Sequence, residues 1–149
     1  MSVPIASDHA GYELKEFVKE ILRKMDIETI DMGCYSKESV DYPDFGKLVA
    51  QAVNDGEYEK GILICGTGIG MSMVANRFPR VRAALCHNHF TAVSSREHNN
   101  ANILVMGERL ISQETAEDIV KTWFNTDYSA GRHQRRLDKI DAISTTLSK

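Results

Sequence analysis

Cys65 closes an apolar run, Gly61-Ile62-Leu63-Ile64-Cys65, and three glycines follow it at alternate positions, 66, 68 and 70. The run suits a strand buried on both faces. Met73, Val74 and Ala75 suit the first turn of a helix. A strand entering a helix through such a loop leaves several backbone N–H groups aimed into one concavity. Unpaired amides and the helix dipole act together there to favour negative charge. A thiol at the lip of that concavity is drawn toward thiolate, the form that reacts. The chemistry indicated is a reactive cysteine beside an anion cradle. The competing reading is a tight turn with a buried structural thiol, since cysteine is among the most buried residue types.

Several known cradles are excluded by spacing. The dinucleotide fingerprint G-x-G-x-x-G fails because position 71 is Met, and the acid expected after the next strand is missing from Leu85-Cys86-His87-Asn88. No Gly-Lys-Ser/Thr follows, so this is not a Walker A loop. A cysteine phosphatase loop needs a closing arginine, whereas the nearest one is Arg77.

Other candidates are scattered. His98, within Arg96-Glu97-His98-Asn99-Asn100, precedes a strand among polar neighbours and reads either as a functional imidazole or as a helix C-cap favoured by the dipole. Asp8-His9 reads as an acid/base or anion-contact pair, with Asp8 equally suited to N-cap the helix that follows. His87 and His89 read as surface residues. No H-x-x-x-H or H-x-E ligand spacing occurs, so no metal is expected. Arg132 and Arg136 stand four apart, on one helix face. Basic residues on a helix are solvated by default, but Gly131 before them and His133 between them concentrate donors, and arginine forks suit phosphate.

These residues need a scaffold. Short strands are expected over Val3 to Ala6, Ile27 to Met32, the run ending at Cys65, Val81 to Cys86, and Asn102 to Met106. Leu14, Phe17, Val18, Ile21, Leu22 and Met25 form a helical stripe; so do Leu48, Val49, Ala52 and Val53, and Ala116, Ile119, Val120, Trp123 and Phe124. Further helices are expected after Gly70, interrupted by Pro79, and from His89 to His98. Cys34 to Asp44, with Pro43, is expected to be the longest irregular loop. Alternation with apolar strands predicts an α/β fold of the doubly wound, Rossmann-like class: five parallel strands with helices on both faces. Ligands in such sheets bind at the carboxyl ends of strands, which is where Asp8-His9, Cys65 to Gly70 and the turn after Cys86 should converge. A last helix carries Leu137, Ile140 and Ile143 on one side. That stripe follows a complete sheet and predicts a partner subunit, hence a homodimer.

At 149 residues the chain fits one domain, 1–149, with a sizeable core. Net charge of −3 gives no general attraction to nucleic acid or anionic membrane. No apolar run is long enough to span a bilayer and no secretory signal is visible. Three widely spaced cysteines make neither a disulfide framework nor a zinc site. A cytoplasmic protein with free thiols is expected, Cys34 and Cys86 being structural.

The markers Asp8-His9-Ala-Gly11, Asp41-Tyr42-Pro43, Gly61 to Gly70, Arg82-Ala83, His98-Asn99 with Asn102, and Gly131-Arg132-His133-Gln134 with Arg136 run through nearly the whole chain. Together they resemble ribose-5-phosphate isomerase of the B type, in the family that also includes the isomerases of galactose 6-phosphate and allose 6-phosphate. The lactose-pathway relatives lack the Gly-Arg-His-Gln run and the counterpart of His98, so the ribose enzyme is the better match. The resemblance implies an aldose–ketose isomerase of the pentose phosphate pathway, working through an enediolate, with no cofactor or metal. It implies Cys65 as the carbon base with Thr67 beside it, and His98 assisted by Asp8 at ring opening. The enediolate would lie on the amides of Gly66, Gly68, Ile69 and Gly70. The phosphate would be gripped by Arg109, Arg132 and Arg136 with His9 close by, and the sugar held by Tyr42 and Asn99, some of these residues reaching across a dimer. A dimer of dimers is left open. Ser7 stands where cysteine is common, and Asn100 where aspartate is common, which bears on sugar length. The alternatives are a six-carbon sugar phosphate isomerase and a non-catalytic phosphate or nucleotide sensor.

Overall fold

A computed structural model describes residues 1–147. Five strands form one parallel sheet: β1 (Ser2–Ser7), β2 (Glu28–Asp31), β3 (Gly61–Cys65), β4 (Ala83–Leu85) and β5 (Ile103–Gly107). Their order is β2-β1-β3-β5-β4. The helices between them are α1 (Tyr12–Lys24), α2 (Tyr42–Asn54), α3 (Ile69–Ala75), α4 (His89–Glu97) and α5 (Gln113–Phe124), and α6 (Arg132–Leu147) follows. The chain moves outward from β1 to β2, then returns past β1 to β3. The crevice between the carboxyl ends of β1 and β3 is therefore the topological switch point, where such sheets take ligands. Ser7 and Cys65 end those two strands.

Two cores cover the two faces. On one, Val3, Ile5, Ile62, Ile64, Leu104 and Met106 pack against Leu14, Val18, Ile21 and Leu22 of α1, Ala92 of α4, and Ile119, Val120 and Trp123 of α5. On the other, Ala6, Leu63, Cys65, Ile103 and Val105 meet Val49, Ala50 and Val53 of α2 and Met71 and Ala75 of α3. The strand alternation assigns successive residues to opposite faces. No helix among the described residues is long and apolar enough to cross a membrane.

Several boundaries differ from the sequence expectation. The loop after β2 ends at Asp41, not Asp44, because Pro43 sits in the first turn of α2, where its missing N–H is no loss. Leu48, expected in the buried stripe of α2, is exposed. β4 is shorter than Val81 to Cys86, and α3 stops at Ala75, before Pro79. Not all strands are buried on both faces: β2 and β4 are only half-buried because they are the sheet edges. On α6, Leu137 is buried while Ile140 and Ile143 are exposed, so the expected stripe is covered only at its start.

A buried cation holds the β2 end in place. The Lys15 ammonium is fully buried and lies 2.7 Å from Asp31 Oδ1 and 2.6 Å from the Cys34 carbonyl. The rings of Tyr12 and Tyr35 stand 5.3 and 5.5 Å from it. Asp31 also accepts from Lys19 and from the Gly33 amide. Burial pushes the Asp31 carboxyl up, but these hydrogen bonds outweigh it and hold it below the usual carboxylate range. The cluster fixes the loop after β2 against α1, and that loop reaches His9 through Val40.

Asp31→Ala should cost about 3 kcal/mol in denaturant unfolding at neutral pH, because Lys15 would keep its charge without its carboxylate. The folded carboxyl titrates below the unfolded one, so its contribution is whole above about pH 4 and lost as pH falls through the folded value. Wild-type and variant stabilities should converge in acid. Ser7 Oγ is buried without a hydrogen-bond partner among the described residues. Ser7→Ala should therefore leave stability unchanged or raise it by up to about 1 kcal/mol.

Candidate active site

The geometry begins with a backbone turn that only glycine permits. Gly68 has φ of +80°, and a β-carbon on it would lie 2.4 Å from Leu85 Cδ1 and 3.1 Å from the Met106 carbonyl. In this conformation its N–H points back and donates to Cys65 Sγ at 3.2 Å. The sulfur is thus held at the cavity by a backbone donor from its own loop. Cys65 is only 5% exposed, yet that small area opens on a cavity of about 430 Å³. It is neither sealed in the core nor free on the surface.

The cavity lies at the switch point. Its walls are Asp8, His9, Ala10, Tyr42, Cys65, Gly66, Thr67, Ile69, Gly70, Met73 and Arg109. Asp8 takes the capping role: Oδ1 accepts from Gly11 N at 3.0 Å, and the residue also lines the cavity. His9 Nδ1 accepts from Val40 N at 3.1 Å, which leaves Nε2 as the donor of the ring. Thr67 Oγ1 accepts from Ile69 N at 3.2 Å, so its hydroxyl hydrogen is free to donate. Tyr42 lies against Gly70, where a β-carbon would be 2.6 Å from the ring. Arg109 lies over Gly66, its Nη1 3.1 Å from where a β-carbon would stand. The turn carrying it is zipped to the glycine loop: Glu108 N donates to Cys65 O and Arg109 N to Gly66 O, both at 3.0 Å.

His98, Asn99, Arg132 and Arg136 are absent from this cavity. They belong to a second cluster at the opposite edge of the sheet. α4 must run from the carboxyl end of β4 to the amino end of β5, since the two strands are parallel. Its C-terminus is tied to the start of β4, with Arg82 Nε donating to Asn100 O at 3.2 Å. Strands of five residues at about 3.3 Å each put the edges about 15 Å apart. His98 is the C-cap of α4, as one of the two sequence readings required. Its ring also stacks on His133, with centroids 4.4 Å apart and planes 17° off parallel. Arg132 and Arg136 are exposed at the start of α6. Burial against this cluster, then the charges of His98, Arg132 and Arg136, push His133 below the usual imidazole range. This second edge is electropositive.

The turn after Cys86 does not join the cavity either. It lies at the carboxyl edge, but β5 separates β4 from β3. Cys86 is buried, and burial pushes its thiol up. Asn100, at φ +46°, spends its side chain accepting from Arg96 Nη1 at 3.0 Å, a structural contact.

The Ribose/Galactose Isomerase family pattern matches residues 3–140, a span that takes in both clusters. The chain belongs to the ribose/galactose isomerase family. It is similar to ribose-5-phosphate isomerase B of Escherichia coli (strain K12), 43% identical over 141 residues that cover 95% of each chain. Among solved structures it is similar to Clostridium thermocellum ribose-5-phosphate isomerase B, 50% identical, with a TM-score of 0.96 and 99% of both chains covered. It is also similar to a ribose 5-phosphate isomerase from Thermotoga maritima, 53% identical, with a TM-score of 0.92, covering 95% of this chain and 97% of that one.

In this member of the isomerase family, sequence reasoning missed Ala10 and Met73 as cavity walls. Met73 is expected from the sequence only as part of a helix's first turn, with no role at the site. The signal was present: Ile69 and Met73 are four apart on α3, on the side opposite buried Met71 and Ala75, and both are exposed. Among the described residues, the lining that includes Cys65 includes neither Cys34 nor Cys86. Mass spectrometry after brief iodoacetamide treatment should therefore find Cys65 modified about tenfold or more faster than either. Gly68→Ala should slow that labelling by displacing the amide from sulfur.

Proposed function

We propose that the protein interconverts ribose 5-phosphate and ribulose 5-phosphate through an enediolate. The observation that carries this reading is the sulfur of Cys65, met by a backbone N–H and opening on a cavity with an arginine at its rim. The relatives named as ribose-5-phosphate isomerases support the same substrate. Opening the sugar ring requires proton transfer at the ring oxygen, a task for an imidazole and the Asp8 carboxylate. The Cys65 thiolate then takes the proton from C2, and the electron pair of that bond forms the C1–C2 double bond while negative charge moves to the C1 oxygen. A proton passes from the C2 oxygen to the C1 oxygen, and the Cys65 thiol then returns its own proton to C1, leaving the carbonyl at C2. Thr67, through its free hydroxyl hydrogen, holds the enediolate oxygens. The Gly68 and Ile69 amides are engaged by Cys65 Sγ and Thr67 Oγ1, so the amides that add to this are those of Gly66 and Gly70. One such donor is typically worth about 3 kcal/mol in the transition state.

Arg109 and His9 form the phosphate end, and Tyr42 and Ile69 border the sugar. His98, Asn99, Arg132 and Arg136 complete the site from a second copy. A sheet that separates them from Cys65 by its own strand length leaves no route within one chain. The half-covered stripe of α6, with exposed Ile140, Ile143 and Leu147, supplies apolar surface for the pairing. The homodimer therefore places the amino edge of one protomer over the carboxyl edge of its partner.

Cys65→Ala should lower kcat by about 10²- to 10⁴-fold while ribose 5-phosphate still binds. In heavy water the wild type should place deuterium at the carbon that exchanges; a protein that binds sugar phosphates without turnover or exchange is a sensor, not an isomerase. Dimers re-formed from equal amounts of inactive Cys65→Ala and Arg136→Ala chains should recover about a quarter of wild-type activity, because half the dimers are mixed and one of their two sites is intact. No recovery would mean that both residues serve the same copy.

A further inference from the structure

Beside the cavity, with Arg109 as a common wall, lies a second space of about 190 Å³, lined by His9, Ala10, Glu13, Lys37, Glu108 and Arg109, the first two and the last of which also line the larger cavity. Room alone does not limit how long a phosphate ester can be when it enters past Cys65. Charge does. Lys37 is already paired with Glu13. Glu108 has no ion-pair partner among the described residues; its Oε1 accepts from Leu14 N at 2.6 Å, in the first turn of α1. It thereby occupies one of the first-turn amides of α1 that would otherwise welcome a phosphate. Its place relative to Cys65 is fixed, because its own N–H donates to the Cys65 carbonyl.

We propose that Glu108 sets substrate length: its carboxylate, anchored on α1 behind Arg109, closes the phosphate end of the site to esters one carbon longer. This rests on the reading of Arg109 and His9 as the phosphate end. A five-carbon ester stops at Arg109, with its dianion facing the guanidinium. A six-carbon ester carries its phosphate one bond farther, between Glu108 and Glu13, where the single lysine is already engaged. Juxtaposed like charges are the repulsive element that turns a permissive cavity into a selective one. Glu108 touches no reacting atom, so its effect is on which chain length binds.

The test uses ribitol 5-phosphate and allitol 6-phosphate, which lack the carbonyl and bind without turning over. Their Kd values are measured by calorimetry for wild type, Glu108→Gln and Glu108→Ala, with thermal midpoints confirming folding. Glutamine keeps an acceptor for Leu14 N and removes only the charge. The wild type should prefer the pentitol, and Glu108→Gln should reduce that preference about tenfold, near 1.4 kcal/mol, mainly by tighter hexitol binding. An unchanged preference in folded Glu108→Gln, or no preference in the wild type, overturns the proposal. Turnover of ribose 5-phosphate by the wild type is scored separately. A chain that isomerises it but shows no shift with Glu108→Gln refutes only the length filter, whereas a shift without turnover refutes only the isomerase reading.

Discussion

The contact between the Gly68 amide and the Cys65 sulfur depends on a backbone that folds back on itself within four residues. Side chains at 66, 68 or 70 would collide with Arg109, Leu85 or Tyr42, each from a different element. The same absence of side chains thus serves two purposes. It lets an N–H reach the sulfur, and it lets three flanking elements close over the loop to make the cavity. Were the loop wider, the thiol would lose its donor and the arginine its proximity together. The remaining structure amounts to a scaffold that holds β1, β3 and β5 side by side so that this closure happens. The buried Lys15–Asp31 pair contributes from the far side, because it fixes the loop through which Val40 orients His9.

A parallel α/β sheet imposes a second constraint. Every crossover helix starts near the carboxyl edge and ends near the amino edge. A residue at the end of α4 is therefore separated by the sheet from residues at the end of β3, however close the chemistry requires them to be. His98 and its stacked partner His133, with exposed Arg132 and Arg136, lie outside the cavity that Cys65 lines. The proposed pairing of two copies would remove the conflict without bending the fold. Ile140, Ile143 and Leu147 of α6 are exposed, which is the apolar surface that the proposed pairing would use.

Strand-by-strand alternation, the glycine loop and the residue types of the site were legible because each rests on local chemistry: a period of two or 3.6, a positive φ, a thiol next to amides. Asp8, His9, Cys65, Gly66 and Gly70 were read from the chain, while Tyr42, Thr67, Ile69 and Arg109 came with the family resemblance; all nine line one cavity. Strand order was not legible. Nothing in the residues of β4 shows that it lies outside β5, and so the turn after Cys86 was expected in a place it does not occupy. Met73 and Glu108 were missed because neither carries a motif. One matters by facing outward on a short helix, the other by crossing 94 positions to reach Leu14.

The sequence by itself determined which elements alternate and which residues are candidates for the site, since these depend on neighbours within a few residues. Only the tertiary structure decided which of the candidate residues meet within one chain. That outcome depends on strand order and helix direction, set by how two apolar faces are buried at once, and no stretch of the chain carries that information alone.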